Sequence, residues 1–236
     1  MARLIFGPDG SALEKPEDVI RFLAEATHWK IGRSAYEAAQ SWFAAQDLPA
    51  AIRELIETDP VFSGAVLLKA IFEKQTPLDR LGRPSQTDVL ALLQTRSGSA
   101  ILGVEAKVDE SFGPLVSEWN DQTPSKQQRL TGLIERLGVG GSASVLRYQL
   151  LHRTVATLIE AEQHGAAEAV MVVQSFSPHD IRAGFSDFQR FSKALGILVE
   201  APGRLSAPLI RGGVSLRLGW AQDQIHVPEE AVRAVD

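Results

Sequence analysis

Two apolar runs of strand length, separated by a tight-turn signal, constrain the fold of this chain more than any other feature. Residues 87–95 and 100–108 are apolar at positions of both parities, which is typical of central strands covered on each side. Residues 96–99 between them (Arg-Ser-Gly-Ser) favour a hairpin turn. The sequence therefore predicts an antiparallel hairpin at the centre of a sheet.

Helical and strand-like patterns on either side of the hairpin extend this prediction. Helices are expected over residues 16–27, 33–45, 48–58, 62–75, 145–163 and 185–195, and further strands over 167–175 and 214–220. This order indicates an α/β (α+β) protein with a mixed central sheet flanked by helices. We expect a helical N-terminal region over residues 1–60 and the sheet-containing core over 61–236, packed as one unit.

Composition narrows the classes of function. The absence of cysteine excludes disulfides, cysteine-based zinc sites and a thiol nucleophile, and a reducing cytoplasm is the simplest compartment. No apolar stretch suits a signal peptide or a bilayer-crossing helix, so no membrane partner is expected. The net charge of −5 argues against a protein that coats nucleic acid by bulk electrostatics.

The charge is unevenly distributed along the chain. Residues 1–60 carry a net −4, whereas residues 126–153 carry five Lys or Arg against one Glu, a net +4. Such a segment suits either a local basic surface for a polyanion or an ordinary solvated helix face, and the sequence leaves both readings open.

Three charged residues lie within the otherwise apolar hairpin. If Ser97 and Gly98 are the two turn residues, Asp88 lies opposite Lys107 and diagonal to Glu105. Residues of equal parity on paired strands share a face of the sheet, so the two carboxylates and the ammonium converge. A register shift of one residue would undo this arrangement.

Such a cluster is costly to bury unless it is paired or binds a cation. Two neighbouring carboxylates repel one another, and hard oxygen ligands suit Mg²⁺ or Mn²⁺. A metal held by Asp88 and Glu105 would acidify a bound water, and Lys107 could orient or deprotonate that water and offset phosphate charge. The structural alternative is a buried ion triad without chemistry.

Asp88, followed after 16 residues by Glu105-Ala106-Lys107, resembles the motif of the PD-(D/E)xK, or restriction-endonuclease-like, nuclease superfamily. Thr87 stands where the family name has proline. The resemblance implies a helix, a three-stranded meander, a helix and a further strand, and the chain from about 62 to 176 follows this order except that the first strand of the meander is not evident. It also implies metal-dependent hydrolysis of phosphodiester bonds in nucleic acid, with DNA favoured over RNA but not decided, and a possible homodimer.

The same resemblance assigns roles to residues outside the hairpin. An acidic residue on the helix before the meander often completes the metal site, and Glu73 is the best match, with Glu57 as a weaker alternative. Gln149 on the helix after the motif matches a glutamine that points at the site in several of these nucleases.

Two further residues share the polar face of the helix 145–163 with that glutamine. His152 and Arg153 follow Gln149 by three and four residues, so all three lie together. Arg153 could bind phosphate bidentately, and His152 could donate a proton, although a lone histidine is more often structural. Trp119 could stack on a base or simply pack in the core.

Other stretches, around residues 28–35, 104–110 and 148–153, also resemble a group of uncharacterised bacterial proteins, which implies no activity.

The hairpin residues and the resemblance to the nuclease superfamily predict a Mg²⁺- or Mn²⁺-dependent nuclease. A non-catalytic binding or scaffold protein of the same fold is the alternative, and a hydrolase of a smaller phosphate compound is a third possibility.

Overall fold

A seven-stranded mixed sheet forms the centre of the computed structural model, which describes residues 4–141, 143–177 and 181–226. The strands are β1 (Ile5–Phe6), β2 (Val66–Thr76), β3 (Ser85–Thr95), β4 (Gly98–Lys107), β5 (Glu168–Ser175), β6 (Leu209–Arg211) and β7 (Val214–Gln222). They are arranged in the order β1-β2-β3-β4-β5-β7-β6. β2, β3 and β4 form an antiparallel meander, and β4, β5 and β7 run parallel.

Helices cover both faces of this sheet. They are α1 (Ser34–Ala45), α2 (Ala50–Ile56), α3 (Val116–Trp119), α4 (Pro124–Leu137), α5 (Tyr148–Gln163) and α6 (Ile181–Ala194). Short 3-10 helices span Pro16–Phe22, Ala26–His28, Pro60–Phe62 and Ala143–Val145. The predicted mixed sheet flanked by helices is confirmed. No helix within the described ranges is long and apolar enough to cross a membrane.

The sheet separates two hydrophobic cores. On one face α1 packs against β4 and α2 packs against β7, with Ile52 and Val104 fully buried in the core. On the other face α5 covers β3, β4 and β5, with Leu151 and Met171 in the core. Each such side chain contributes about 1.5–3 kcal/mol by leaving water. The hairpin is therefore central and covered on both sides, as predicted, and its charged residues Glu105 and Lys107 are buried.

The prediction of a helix over residues 62–75 is wrong. This segment forms β2, which pairs with β3 from Val66 to Thr76 and supplies the first strand of the meander that the sequence did not reveal. The run Val66–Phe72 is apolar enough to suit a helix or a strand, and periodicity alone does not separate the two. Pairing with β3, which satisfies the backbone N–H and C=O groups of both strands, decides in favour of the strand.

The helix predicted over residues 16–27 is also only partly correct. The segment folds as two 3-10 helices, Pro16–Phe22 and Ala26–His28, with Leu23 in an extended conformation between them. The other predicted helices and strands are present with shifted ends. β1 and β6, of two and three residues, were not predicted because strands so short carry little sequence signal.

The hairpin turn differs from the predicted one by one position. Arg96 and Ser97 form the turn and Thr95 pairs with Gly98, so the register moves by two residues. The Thr95 hydroxyl donates to the Gly98 carbonyl at 2.9 Å and accepts from the Ser97 N–H at 3.2 Å, which closes this turn. A shift of two leaves every side chain on its predicted face. Asp88 consequently lies beside Glu105 rather than Lys107, because the ladder pairs Val89 with Val104.

Candidate active site

Charged residues from three strands and one helix meet in a cleft of about 630 Å³ on the α5 face of the sheet. β2, β3 and β4 supply acidic residues and a lysine, and α5 supplies a glutamine and an arginine. These residues are Glu73, Asp88, Glu105, Lys107, Gln149 and Arg153. The structure therefore brings together six of the seven residues singled out for the site in the sequence.

Glu105 is the centre of the cluster and is 1% exposed. Its Oε1 accepts from Lys107 Nζ and from Gln149 Nε2, each at 2.7 Å, and its Oε2 accepts from Arg153 Nε at 2.5 Å. Burial opposes ionisation of Glu105, but the positive charges of Arg153 and Lys107 outweigh it and lower the pKa to about 2. Glu105 is therefore an ionised carboxylate with all of its charge compensated.

Asp88 lies in the same cleft without such compensation. Its Oδ2 accepts from the Ala106 N–H at 2.8 Å, and its Oδ1 is 4.0 Å from Arg153 Nη2. Burial and the neighbouring charge of Glu105 raise the pKa of Asp88 to about 7. A positive charge brought next to Asp88 would consequently be stabilised.

Glu73 occupies a strained position in the middle of β2. Its φ of 52° is left-handed, and the ladder pairs Phe72 and Lys74 with β3 on either side of it. A non-glycine residue held in this region costs of order 1–3 kcal/mol, and such strain clusters at functional sites. Glu73 Oε2 accepts from Gln86 Nε2 at 2.6 Å, while burial and the charge of Asp88 raise its pKa to about 8.

The three α5 residues do not all face the cleft. Gln149 and Arg153 line it, whereas His152 lines a smaller cavity. His152 Nδ1 lies 2.9 Å from Ser85 Oγ, and burial together with the charge of Arg153 lowers its pKa to about 3, so the ring is neutral at physiological pH. Ser85 also accepts from Arg153 Nη1 at 3.0 Å, which links His152 to the cluster indirectly.

Two other candidates lie away from the carboxylates. Glu57 ends α2 and lies 3.6 Å from Arg53, outside the residues that line the cleft. Trp119 stacks on Tyr148 with a centroid separation of 3.7 Å, beside the smaller cavity. Glu73, not Glu57, is therefore the acidic residue next to Asp88 and Glu105.

Mg²⁺ or Mn²⁺ suits the chemistry of this cleft. The three carboxylates provide hard oxygen ligands. Burial and neighbouring carboxylates raise the pKa values of Asp88 and Glu73, because their negative charge is not compensated, and a divalent cation would compensate it. Within the described ranges, however, no three His, Asp or Glu residues are already arranged to hold an ion. In the structure Glu105 Oε2 accepts from Arg153, so a metal held by Glu105 would share this carboxylate with the guanidinium or weaken its ion pair.

Sequence reasoning missed part of the cleft. The segment 23–35, which precedes and begins α1, contributes eight lining residues: Leu23, Ala24, Thr27, His28, Lys30, Arg33, Ser34 and Ala35. Gln86 of β3 and Glu110, which follows β4, line the cleft as well. Nothing in the local pattern of this segment indicates proximity to Asp88, because the contact depends on how the chain returns over the sheet.

The fold and the cleft define a mixed α/β protein with a buried acidic and basic cluster on its central hairpin. The chain belongs to the family described as Domain of unknown function (DUF6946), whose model matches residues 12–225. The match includes the segment 23–35 as well as the hairpin and α5. The searches of curated proteins and of solved structures found no match.

Replacing Asp88 with asparagine is expected to stabilise the protein in the presence of a chelator. The folded-state pKa of about 7 lies above the ordinary value of 3.8, so the folded protein binds the extra proton between these values and stability falls as the pH rises through them. Asparagine removes this cost and still accepts from the Ala106 N–H. We expect about 1–3 kcal/mol of added stability at pH 8 and, at roughly 2–4 °C per kcal/mol, a higher Tm.

Thermal unfolding in EDTA as a function of pH measures this effect. The difference between variant and wild type should shrink as the pH falls toward the ordinary pKa of 3.8 and vanish below it, where Asp88 is protonated in both the folded and the unfolded protein. A variant that is less stable than wild type at pH 8 would show that the charge of Asp88 is compensated in the folded protein.

Proposed function

We propose that this protein is a Mg²⁺- or Mn²⁺-dependent nuclease of the PD-(D/E)xK type that hydrolyses phosphodiester bonds. The observation that carries the proposal is the meeting of Asp88, Glu105 and Lys107 in one cleft, on a hairpin that is otherwise apolar. A fold gains nothing from burying a third carboxylate, Glu73, beside these two. A cation bound among the three carboxylates would account for their presence in one cleft.

Each residue of the cleft has a separate role in the proposed hydrolysis. Asp88 and Glu105 would hold the metal, with Glu73 beside Asp88 to complete the site. The bound ion supplies a water of lowered pKa and stabilises negative charge on a phosphoryl oxygen. Gln149, which donates to Glu105 Oε1 at 2.7 Å, holds that carboxylate in position.

Lys107 acts in this proposal mainly as a cation. Burial opposes its charge, but Glu105 and Asp88 outweigh that effect and raise the pKa of Lys107 above its ordinary value. A protonated Lys107 orients the attacking water and stabilises charge that develops on the phosphate in the transition state. It does not remove the proton from that water while its pKa stays raised.

Arg153 has two roles in the proposal. In the structure it neutralises Glu105. A metal held by Glu105 would weaken this ion pair, and the guanidinium could then bind a substrate phosphate bidentately. His152 supports Arg153 through Ser85. DNA rather than RNA as substrate, a cytoplasmic location and a homodimer belong to this same proposal.

One observation favours the second candidate, a non-catalytic binding protein of the same fold. Both oxygens of Glu105 are satisfied by Lys107, Gln149 and Arg153, so the cluster is stable around Glu105 without any metal. In that case the raised pKa values of Glu73 and Asp88 reduce the negative charge of the cleft near neutral pH, and the cleft binds no cation.

Titration with Mn²⁺ by calorimetry separates the two candidates. Wild type is expected to bind Mn²⁺ at millimolar concentrations or below, and Asp88→Asn is expected to lose this binding while remaining folded. The matched control is Asp121→Asn, which removes an exposed carboxylate paired with Lys126 outside the cleft and should bind as wild type does.

Cleavage assays with labelled single-stranded and duplex DNA and RNA follow in the same buffers. Metal-dependent cleavage that Asp88→Asn loses and Asp121→Asn keeps supports the nuclease. A folded wild type that binds no Mn²⁺ and cleaves no polymer contradicts it and favours the binding protein. Hydrolysis of nucleotides alone would assign the cleft to a smaller phosphate compound.

A further inference from the structure

Two cations of the N-terminal segment line the cleft that contains the carboxylates. Lys30 and Arg33 lie on a turn just before α1, closed by a hydrogen bond from the Arg33 N–H to the Lys30 carbonyl at 3.0 Å. Both side chains are exposed. Arg33 lies 4.0 Å from Glu110, at the outer limit of an ion pair, and within the described ranges no acidic residue pairs with Lys30. These charges are available to a ligand.

A buried carboxylate fixes this turn in place. Glu37 is 0% exposed, and its two oxygens accept from the Gly32 N–H at 2.8 Å and from the His226 N–H at 2.7 Å. Because Glu37 ties the turn both to α1 and to the chain after β7, Lys30 and Arg33 are positioned by the fold rather than carried on a free arm.

The segment between Phe22 and Ser34 crosses the cleft from one strand to the next. Its start lies beside β3, where Gln86 Nε2 donates to the Phe22 carbonyl at 3.4 Å. Its end lies beyond β4, where the Ser34 N–H donates to Glu110 Oε1 at 3.3 Å. Glu110 in turn accepts from the Val108 N–H at 2.8 Å, which attaches this end to the strand that carries Glu105 and Lys107.

The cleft would carry an excess of positive charge once a divalent cation binds among its carboxylates. Four carboxylates and four Lys or Arg side chains line it: Glu73, Asp88, Glu105, Glu110, Lys30, Arg33, Lys107 and Arg153. A bound divalent cation would leave an excess of two positive charges, which suits an anionic ligand with more than one phosphate. Lys107 and Arg153 are close to the proposed metal ligands, so Lys30 and Arg33 remain for a neighbouring phosphate.

We propose that Lys30 and Arg33 form a phosphate-binding wall that holds a single strand of nucleic acid across the cleft, an inference that rests on the nuclease function proposed above. A cleft of about 630 Å³ is the size of a small-ligand site, so it takes a short stretch of one strand. Base pairing would hinder a duplex from entering a cleft whose walls are shared by the carboxylates and the segment 23–35. Contacts to successive phosphates give affinity without sequence preference.

The variant Lys30→Gln/Arg33→Gln tests this wall by fluorescence anisotropy with a short fluorescein-labelled oligothymidylate in Ca²⁺. The matched control is Arg96→Gln/Lys193→Gln, which makes the same charge change at exposed positions in the hairpin turn and in α6. Two lost phosphate contacts should weaken binding roughly 25-fold at 0.1 M salt and reduce the slope of log K against log salt by about 1.4. The control should bind as wild type does.

Each outcome separates this inference from the proposed function. The inference is supported if only Lys30→Gln/Arg33→Gln binds the oligonucleotide more weakly and has a smaller slope of log K against log salt. Its Mn²⁺ binding, measured by calorimetry, should be unchanged. Equal binding by wild type, wall variant and control overturns it and leaves the nuclease standing. Tighter binding of wild type to a matched duplex overturns the single-strand assignment. Absence of both oligonucleotide and Mn²⁺ binding in wild type overturns the function, and the inference with it.

Discussion

Replacing Glu105 with glutamine is expected to destabilise the protein by about 3–5 kcal/mol, the usual cost of breaking a buried ion pair from one side. The carboxylate neutralises both Lys107 and Arg153, which are 8% and 9% exposed. Glutamine has nearly the same volume, so the loss comes from charge and not from packing. The change removes the carboxylate that neutralises Lys107 and Arg153. The neighbouring acidic residues Asp88 and Glu73 have raised pKa values, so they replace its negative charge poorly.

Chemical denaturation of Glu105→Gln and Asp88→Asn, measured together in EDTA, provides the sharpest comparison. The two changes are chemically alike and lie beside one another on the same hairpin, yet we expect opposite signs: a large loss for Glu105 and a gain for Asp88. The stability that Glu105 provides is present above its ordinary pKa of 4.5 and is lost as the pH falls toward about 2. Equal effects of the two changes would contradict the assignment of Glu105 as the compensated carboxylate.

Replacing Lys107 with methionine is expected to reduce metal-dependent cleavage by about 10²–10³-fold, the usual cost of removing one group that stabilises transition-state charge. Methionine keeps most of the apolar contact that the lysine makes near Phe112, whose ring centroid is 5.5 Å from Nζ. Glu105 retains Arg153 as a partner, so the fold should survive. Binding of Mn²⁺ should persist, because Lys107 is not a ligand.

Single-turnover cleavage and Mn²⁺ calorimetry on the same preparations separate these effects. Lys126→Met is the matched control, since Lys126 is paired with Asp121 and lies over the ring of Trp119, away from the cleft. Lys107→Arg should keep more of the activity than Lys107→Met, because it preserves the charge. Full activity in Lys107→Met would show that Lys107 takes no part in the cleavage reaction, even if Asp88 and Glu105 hold a metal.

Local patterns predicted the hairpin and the face on which its charges lie. The alternation of side chains along a strand is a property of the backbone, so the equal parity of Glu105 and Lys107 puts them on one face whatever the fold around them. The predicted register was two residues off, and the face prediction survived because two is the period of the strand. A register error of one residue would have separated Asp88 from Glu105.

Patterns on single elements were less informative where the partner element decides the structure. Residues 66–76 suit a helix or a strand on apolar content alone, and only β3, nine residues or more away, makes them a strand. Glu73 was therefore matched to the correct site but placed on the wrong element. Its left-handed φ of 52° has no sequence signal, since glutamate rarely adopts it.

The sequence by itself determined the mixed α/β class, the central hairpin, and the convergence of Asp88, Glu105 and Lys107, because each depends on periodicity within a short stretch of chain. Only the tertiary structure decided which carboxylate is neutralised and which cations line the cleft. Arg153 reaches Glu105 across 48 residues of sequence, and Glu37 fixes the turn of Lys30 and Arg33 by accepting from His226, 189 residues away. Charge pairing acts through space, so distances along the chain do not reveal it.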